Sequence, residues 1–406
     1  ALPHVVAGVA TVDSITNPDQ MFADAGINLI IARATHADGE KKKVTLSDGR
    51  EIPYDKLLLG TGASPVVPPI EGCDLRGVFS LRSAPDAVEI KNFLEKDNHR
   101  KLVLIGAGFI NLEVATLLAT TRPDYYDVTV IELLAHPLPL MLDAEMAVQI
   151  QEYLTEKGFK MKMAQKVERI LGENGKVVGV ELATGEKIEA EMVLLSIGVK
   201  QNLELAKDLG LEIGKFGVKV NKFLETSVPD VMAAGDCVEK QHFVTKRPVT
   251  GQLRGPAVIQ GRLAAKRLAG YDIEFPGVTN NSAVKLLDKS IASVGLTEEG
   301  AQQEGFETIS TTVNSRSKHG MISGVKPWTL KLIFDKESHK VIGGQIISDS
   351  EAPVKEIDTV NALILGEKTI AELTTLMCAG NPDCSSEPSL EPITICAEQA
   401  LQKLRA

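Results

Sequence analysis

Residues 101–115, KLVLIGAGFINLEVA, followed by VTVIE at 128–132, decide the fold. Lys101–Ile105 is a short branched apolar run of strand length. It ends at Gly106-Ala107-Gly108, and a helical pattern runs from Phe109 to about Ala119. VTVIE reads as a second strand. Strand, glycine turn, helix and strand make a β-α-β unit, which predicts a parallel sheet with a dinucleotide at its carboxyl edge. Gly106 permits the tight turn, and Gly108 lets a pyrophosphate approach the backbone. The helix start, with Phe109 and Ile110, offers unpaired N–H groups and a positive dipole end to phosphate oxygens. Glu132 is placed to accept hydrogen bonds from a ribose 2′-hydroxyl. It would repel a 2′-phosphate, and no Arg or Lys follows it until Lys157, so NADH is expected over NADPH. Two departures stand out. Asn111 occupies the third glycine position, so helix-to-strand packing must accommodate a side chain. Glu132 lies 26 residues after Gly106, beyond the usual spacing of about 20. The loop 122–127, RPDYYD, absorbs the excess. A glycine turn in an α/β domain without a nucleotide is the plainer alternative, and the flanking strands weigh against it.

Outward from this unit, 27–31 (INLII) and 43–47 (KVTLS) read as strands. Lys56–Leu59 is a short strand ending at Gly60-Thr61-Gly62, and Pro65, Pro68 and Pro69 prevent regular structure beyond it. Residues 83–96 read as a helix with Ser83 as N-cap. A helix is expected near 143–157 and strands near 177–182 and 192–197, with a turn at Gly198. Residues 231–236 (VMAAGD) read as a strand ending in Gly-Asp, and 256–269 as a helix. After Gly277, strands at 283–295, 329–334 and 341–348 suggest an antiparallel sheet, with helices at 354–366 and 393–404. The fold class expected is α/β: two Rossmann-like lobes plus a C-terminal α+β lobe.

Composition excludes several classes. The 406 residues exceed one ordinary domain. With 44% apolar and 24% charged residues, the chain is globular, not disordered. A net charge of −10 and the lack of a Lys/Arg block argue against a nucleic-acid partner. No apolar stretch reaches the roughly 20 residues of a membrane span. ALPHVVAGVA carries no basic leader. Five cysteines suggest free thiols in a reducing compartment, with the cytoplasm as default.

Six motifs together resemble the pyridine-nucleotide-disulfide oxidoreductase flavoproteins. They are ALPHVVAG (1–8), YDKLLLGTGASP (54–65), LVLIGAGFINLEVA (102–115), VTVIE (128–132), TSVPDVMAAGDC (226–237) and KLLDKSIASVGLTEEGA (285–301). The nearest branch is that of coenzyme A-disulfide reductases, NADH oxidases and NADH peroxidases. The resemblance implies FAD and NADH as cofactors. It implies a flavin domain from 1–88 and 206–275, an NADH domain at 89–205 and an interface domain at 276–406 that forms a homodimer. Thr61, Gly62 and Ala63 match a flavin-side turn. Gly235 and Asp236 match the second flavin motif, whose carboxylate meets the ribityl chain. Ala34 matches a position whose backbone meets the adenine. Glu113 and Gly198 match positions beside the nicotinamide. The family opens with its own flavin GxGxxG segment, and its disulfide-reductase branch carries a catalytic cysteine just before the stretch matching ALPH. Neither is in this chain, and we expect an N-terminal segment to precede Ala1. Val5–Ala10 is then a core segment.

The remaining candidates divide less clearly. Cys237 reads as a packed small residue. Cys378, Cys384 and Cys396 match no metal pattern, and a redox pair between Cys378 and Cys384 is the weaker reading. Lys285 is a candidate to face the flavin, an exposed strand lysine being as good a description. Ser315–His319 is a basic cluster expected in a loop, either solvated or in contact with an anionic substrate or partner. All five tyrosines lie at or before Tyr271, so the C-terminal tyrosine chemistry of coenzyme A-disulfide reductases is in doubt. The function expected is hydride transfer from NADH to flavin. The acceptor is a disulfide or persulfide, oxygen or peroxide, or a small redox protein. The alternative is a truncated, non-catalytic relative that binds NADH and cannot retain FAD.

Overall fold

Apolar runs without alternation predict strands buried on both faces, and the nucleotide lobe is built from such runs. The computed structural model describes residues 1–96 and 98–405. The chain divides into two compact units: Ala1–Thr11, Pro65–Gly198 and Asn281–Ala406 form one, and Val12–Ser64 with Val199–Asn280 form the other.

In the first unit the nucleotide lobe runs β1 (Val78–Ser80), α1 (Ala84–Lys96), β2 (Lys101–Ile105), α2 (Phe109–Thr121), β3 (Asp127–Ile131), α3 (Ala144–Glu156), β4 (Lys160–Lys162) and β5 (Met192–Leu195). The strands form one parallel sheet in the order β1-β5-β2-β3-β4. Every residue of β5, and all but the first of β2 and β3, is buried. A three-stranded antiparallel flap, Val167–Glu173, Lys176–Leu182 and Lys187–Glu189, packs Ile170, Val180 and Leu182 onto Val103 and Val193. The start of α1 is closed reciprocally. Asp86 Oδ2 accepts from Ser83 N at 2.7 Å, and Asp86 N donates to Ser83 Oγ at 3.4 Å. A short helix, Leu2–Val6, buries Val5 and Val6 and packs against α1 and α2. Val9 is 54% exposed, so the expected core segment at 5–10 is buried only at its start.

The C-terminal part of this unit runs β6 (Ser282–Leu286), β7 (Lys289–Gly295), α4 (Glu298–Gln303), β8 (Thr308–Arg316), β9 (Pro327–Asp335), β10 (Val341–Ser348), α5 (Glu356–Leu365) and α6 (Pro392–Arg405). Its sheet is antiparallel throughout, in the order β6-β7-β10-β9-β8. Two expectations are corrected by this sheet. The single strand expected at 283–295 is a hairpin, turning at Leu287 with φ +54°. β8 is a strand the sequence reading missed: its apolar residues alternate with Thr and Ser, and Ile309, Thr311, Val313 and Ser315 face inward. The basic cluster at 315–319 therefore begins on a strand.

The second unit holds a parallel pair, Leu57–Leu59 with Val231–Ala233, and an antiparallel sheet of Ala34–Asp38, Lys43–Leu46 and Glu51–Pro53. Helix Arg254–Leu268 packs on the turn that follows Val231–Ala233. The strand expected at 27–31 does not form. Ile27, Leu29 and Ile31 are exposed, and the segment joins no sheet of the described residues. A short apolar run becomes a strand only where a neighbour takes its backbone groups.

The nucleotide lobe and the C-terminal sheet share a buried ionic centre. Lys331, on β9, is 1% exposed. Its Nζ lies 2.8 Å from Asp143 Oδ2 and also binds Glu145 and Glu298. Asp143 precedes α3, accepts from Glu298 N at 2.8 Å and exchanges two hydrogen bonds with Gln345 on β10. Burial pulls the Lys331 pKa down, but the three carboxylates outweigh it and hold it above the ordinary lysine value. Burial likewise pushes Glu298 up, and the hydrogen bond from Lys331 overrides it, leaving the carboxyl below its ordinary value. Glu298 thus contributes stability above the unfolded carboxyl pKa, lost as pH falls through the depressed folded value. Lys331 contributes stability below its unfolded pKa, lost only as pH rises through its raised folded value. Lys331→Met should cost about 3–5 kcal/mol by leaving the buried Asp143 carboxylate without its cation. Urea unfolding of the variant tests this, and an unchanged midpoint would show that the ionic cluster contributes nothing.

Candidate functional site

The dinucleotide turn sits where three neighbouring parallel strands, β5, β2 and β3, end. Gly106 follows β2 with φ +98°. A Cβ there would lie 2.4 Å from Ser196 O in the loop after β5, so glycine is required sterically. Gly108 precedes α2 at φ −76°, ψ 171°, which any residue could adopt, and a Cβ there would meet nothing within 4 Å. The protein itself does not demand glycine at 108. The open space lies at a helix start with no side-chain cap, which fits a phosphate group approaching the first N–H groups. Phe109 and Ile110 open the helix. Glu113 lies half-buried one turn on, and Gly198, at φ +115°, is exposed in the loop after β5. Glu132 follows β3. Its Oε2 accepts from Ala107 N at 2.7 Å and its Oε1 from Leu134 N at 2.9 Å, so the carboxylate is locked against the turn. Asn111 is fully buried and binds the turn's carbonyls rather than facing solvent. Gly106, Gly108, Asn111 and Glu132 therefore form one cluster, with Gly198 on the neighbouring loop.

The second unit brings together the other candidate loops. Gly60–Ala63 leaves one parallel strand and Gly235–Cys237 leaves its partner, and Ala234 N donates to Leu59 O at 3.0 Å. Both loops thus lie at the carboxyl ends of parallel strands, where α/β sheets bind ligands. Gly62 and Gly235 take φ of +68° and +85°. Thr61 Oγ1 donates to Asn202 O at 2.7 Å, and Asn202 Nδ2 returns a bond to Thr61 O at 3.0 Å. Ala63 is buried beside them. Asp236 is the middle residue of a 3₁₀ turn, Gly235–Cys237, against helix Arg254–Leu268, and Gln260 Oε1 accepts from Gly235 N at 2.8 Å. Under that turn lies Lys240, 3% exposed. Its ammonium donates to the carbonyls of Gly235, Val238 and Thr250 at 2.7, 3.2 and 3.1 Å. Burial lowers its pKa below the ordinary lysine value, and the charge of Asp236 opposes that shift. Ala34 opens a strand of the separate antiparallel sheet.

Other candidates fall elsewhere. Lys285 lies on β6 and is ion-paired with the exposed Glu351. Cys237 is wholly buried, 3.3 Å from Ala234 O. Cys396 is buried in α6, and burial pushes its thiol pKa up to about 12. Cys378 and Cys384 are exposed. His319 Nε2 lies 3.5 Å from Glu387 Oε1. Lys240, Asn202 and Gln260 escaped the sequence reading. Lys240 stands in the polar run Glu239-Lys240-Gln241, which gives no sign of burial.

A glycine turn, an uncapped helix start and a strand-end carboxylate meet at the carboxyl edge of one parallel sheet, the arrangement of a dinucleotide-binding α/β domain. Residues 2–259 match the pyridine nucleotide-disulphide oxidoreductase model, and 282–390 match the dimerisation domain of the same group. The NADH oxidase of Methanocaldococcus jannaschii is 34% identical over all of this chain and 90% of its own length. The CoA-dependent NAD(P)H sulfur oxidoreductase of Pyrococcus abyssi is 33% identical, covering 91% of this chain and 82% of its own. The solved NAD-dependent persulfide reductase from A. fulgidus superposes with a TM-score of 0.93 at 33% identity, over all of this chain and 76% of its own. The chain belongs to the pyridine nucleotide-disulphide oxidoreductase family. It is an NADH-dependent flavoprotein oxidoreductase, with FAD and NADH as its cofactors. Among the described residues no helix is long and apolar enough to cross a membrane.

Two outcomes test these sites. Lys240→Met should strip three carbonyls of their donor and loosen the Gly235–Asp236 turn, lowering the FAD-to-protein ratio after purification. A full flavin complement would show that the ammonium is dispensable. Replacing Glu132 by Ala and the exposed Leu133 by Arg should cut the NADH-to-NADPH preference in kcat/KM by about 10–100-fold, the range of one or two charge-assisted hydrogen bonds. An unchanged ratio would move ribose recognition elsewhere.

Proposed function

We propose that the chain carries electrons from NADH by way of FAD to a sulfur–sulfur bond in a small persulfide or disulfide. In this reading Gly106 and Gly108, with Phe109 and Ile110, hold the pyrophosphate of NADH, Glu132 holds its adenosine ribose, and Glu113 and Gly198 flank the nicotinamide. Thr61, Gly62, Ala63, Gly235 and Asp236 hold the flavin, and Ala34 meets its adenine. By role, 1–88 and 206–275 serve FAD, 89–205 serves NADH, and 276–406 forms a homodimer interface. When bound, FAD supplies a two-electron relay between the nicotinamide and the acceptor. For a persulfide the balance is NADH, a proton and RSSH giving NAD⁺, RSH and H₂S. The S–S bond breaks as it takes two electrons, and one proton comes from solvent.

The observation that carries the sulfur acceptor is likeness over 91% and all of this chain, at the same 33% identity, to two proteins named for sulfur and persulfide reduction. A second reading, oxygen as acceptor, is favoured by the 34% identical relative named as an NADH oxidase. Five free cysteines among the described residues accord with a reducing compartment, the cytoplasm in our reading.

The deciding experiment is anaerobic NADH oxidation by the flavin-loaded protein with coenzyme A persulfide, read at 340 nm alongside released sulfide. Sulfide equal to the NADH consumed, at a rate above that in air without persulfide, is the expected result. Faster turnover with oxygen alone would favour the oxidase reading. A protein that binds NADH and retains no FAD would instead identify a non-catalytic relative.

A further inference from the structure

The peptide joining Gly106 to Ala107 is gripped at both ends by side chains. Its N–H donates to Glu132 Oε2 at 2.7 Å. Its carbonyl accepts from Asn111 Nδ2 at 2.8 Å, and the same amide reaches Ile105 O at 2.9 Å. Two carbonyl acceptors fix which end of the Asn111 amide points at the turn, since only nitrogen can donate. Asn111 Oδ1 is buried with no hydrogen-bond partner. An orphaned buried acceptor carries a desolvation cost that glycine or an aliphatic residue would avoid. The donating end of the side chain must therefore offset it.

We propose that Asn111 is a positioning residue for adenosine-ribose recognition: it orients the Gly106–Ala107 peptide, and that peptide holds the Glu132 carboxylate where the ribose binds. Gly106 N is already tied to Ile131 O at 2.8 Å, at the end of β3. The 106–107 peptide plane is the remaining freedom of the turn. With φ +98°, Gly106 has no side chain to resist rotation of that plane. Asn111 supplies the resistance from the helix, and Glu132 is aligned as a consequence. The asparagine thus takes on a task in the position where a third glycine would only allow close packing. The inference rests on assigning the 106–132 turn to the nicotinamide nucleotide.

The test is calorimetric titration of NAD⁺ and NADP⁺ into the flavin-loaded protein, which binds without turnover. Asn111→Leu and Asn111→Gly are compared in the native and Glu132→Gln backgrounds. In the native background the Asn111 variants should weaken NAD⁺ by about tenfold, the value of one good hydrogen bond to a charged group, and leave NADP⁺ little changed. In the Glu132→Gln background the same substitutions should change NAD⁺ affinity far less, because the group they position is already lost. Native NAD⁺ affinity in the Asn111 variants would overturn the proposal, as would an equal loss in both backgrounds or an equal loss of NAD⁺ and NADP⁺. If Asn111→Leu does not fold, the smaller Asn111→Gly decides. If the unaltered protein binds no NAD⁺, the nucleotide assignment fails and this inference fails with it. Binding by the unaltered protein that the Asn111 variants fully share sinks this inference alone.

Discussion

A buried ammonium cannot be left without counter-charge, and Lys331 imposes that constraint on half of the first unit. Its position on β9 draws in carboxylates from two other elements: Asp143 and Glu145 at the start of α3, and Glu298 at the start of α4. Asp143 in turn is held by Gln345 on β10 and by the backbone of Glu298. The nucleotide lobe and the C-terminal sheet therefore meet through one polar network in which most members satisfy two partners. Such networks specify a single arrangement because any slip exposes an unpaired buried charge.

Both units use the same device to shape the carboxyl edge of a parallel sheet. Loops leave the carboxyl ends of adjacent parallel strands, and glycines with positive φ turn them. In the first unit Gly106 is required by Ser196 O, while Gly108 answers to nothing inside the protein. In the second unit the loops after Leu59 and Ala233 are joined through Ala234 and Leu59, with Lys240 beneath one and Asn202 stitched to the other. The polar supports differ in kind. Lys240 uses a buried charge against backbone carbonyls, whereas Asn202 uses neutral amide bonds.

Much of this was legible because it follows from local pattern. The run Leu102–Ile105 followed by glycine could only be a buried strand entering a turn, and helix α2 follows from Phe109 onward. The helix at 84–96 and the strands at 327–335 and 341–348 lie close to their expected places. Three elements misled. Residues 27–31 carry a strand's apolar character without a partner strand. Residues 283–295 carry two strands that an apolar run conceals. Thr308–Arg316 hides its inward face behind Thr and Ser, of which Thr311 donates to Cys396 O on α6. For the site, glycines and the carboxylate at 132 were visible, since backbone conformation and strand-end position leave a mark on sequence.

By itself the sequence determined the β-α-β unit, the expectation of NADH and the family, because each rests on residues near one another in the chain or on motifs in fixed order. Tertiary structure alone decided that Asn111 grips the turn, that Lys240 lies under Gly235, and that Lys331 meets three carboxylates up to 188 residues away. The physical reason is that burial is a property of neighbours in space. A lysine in a polar stretch and a lysine at the centre of a sheet read alike until the elements around them are in place.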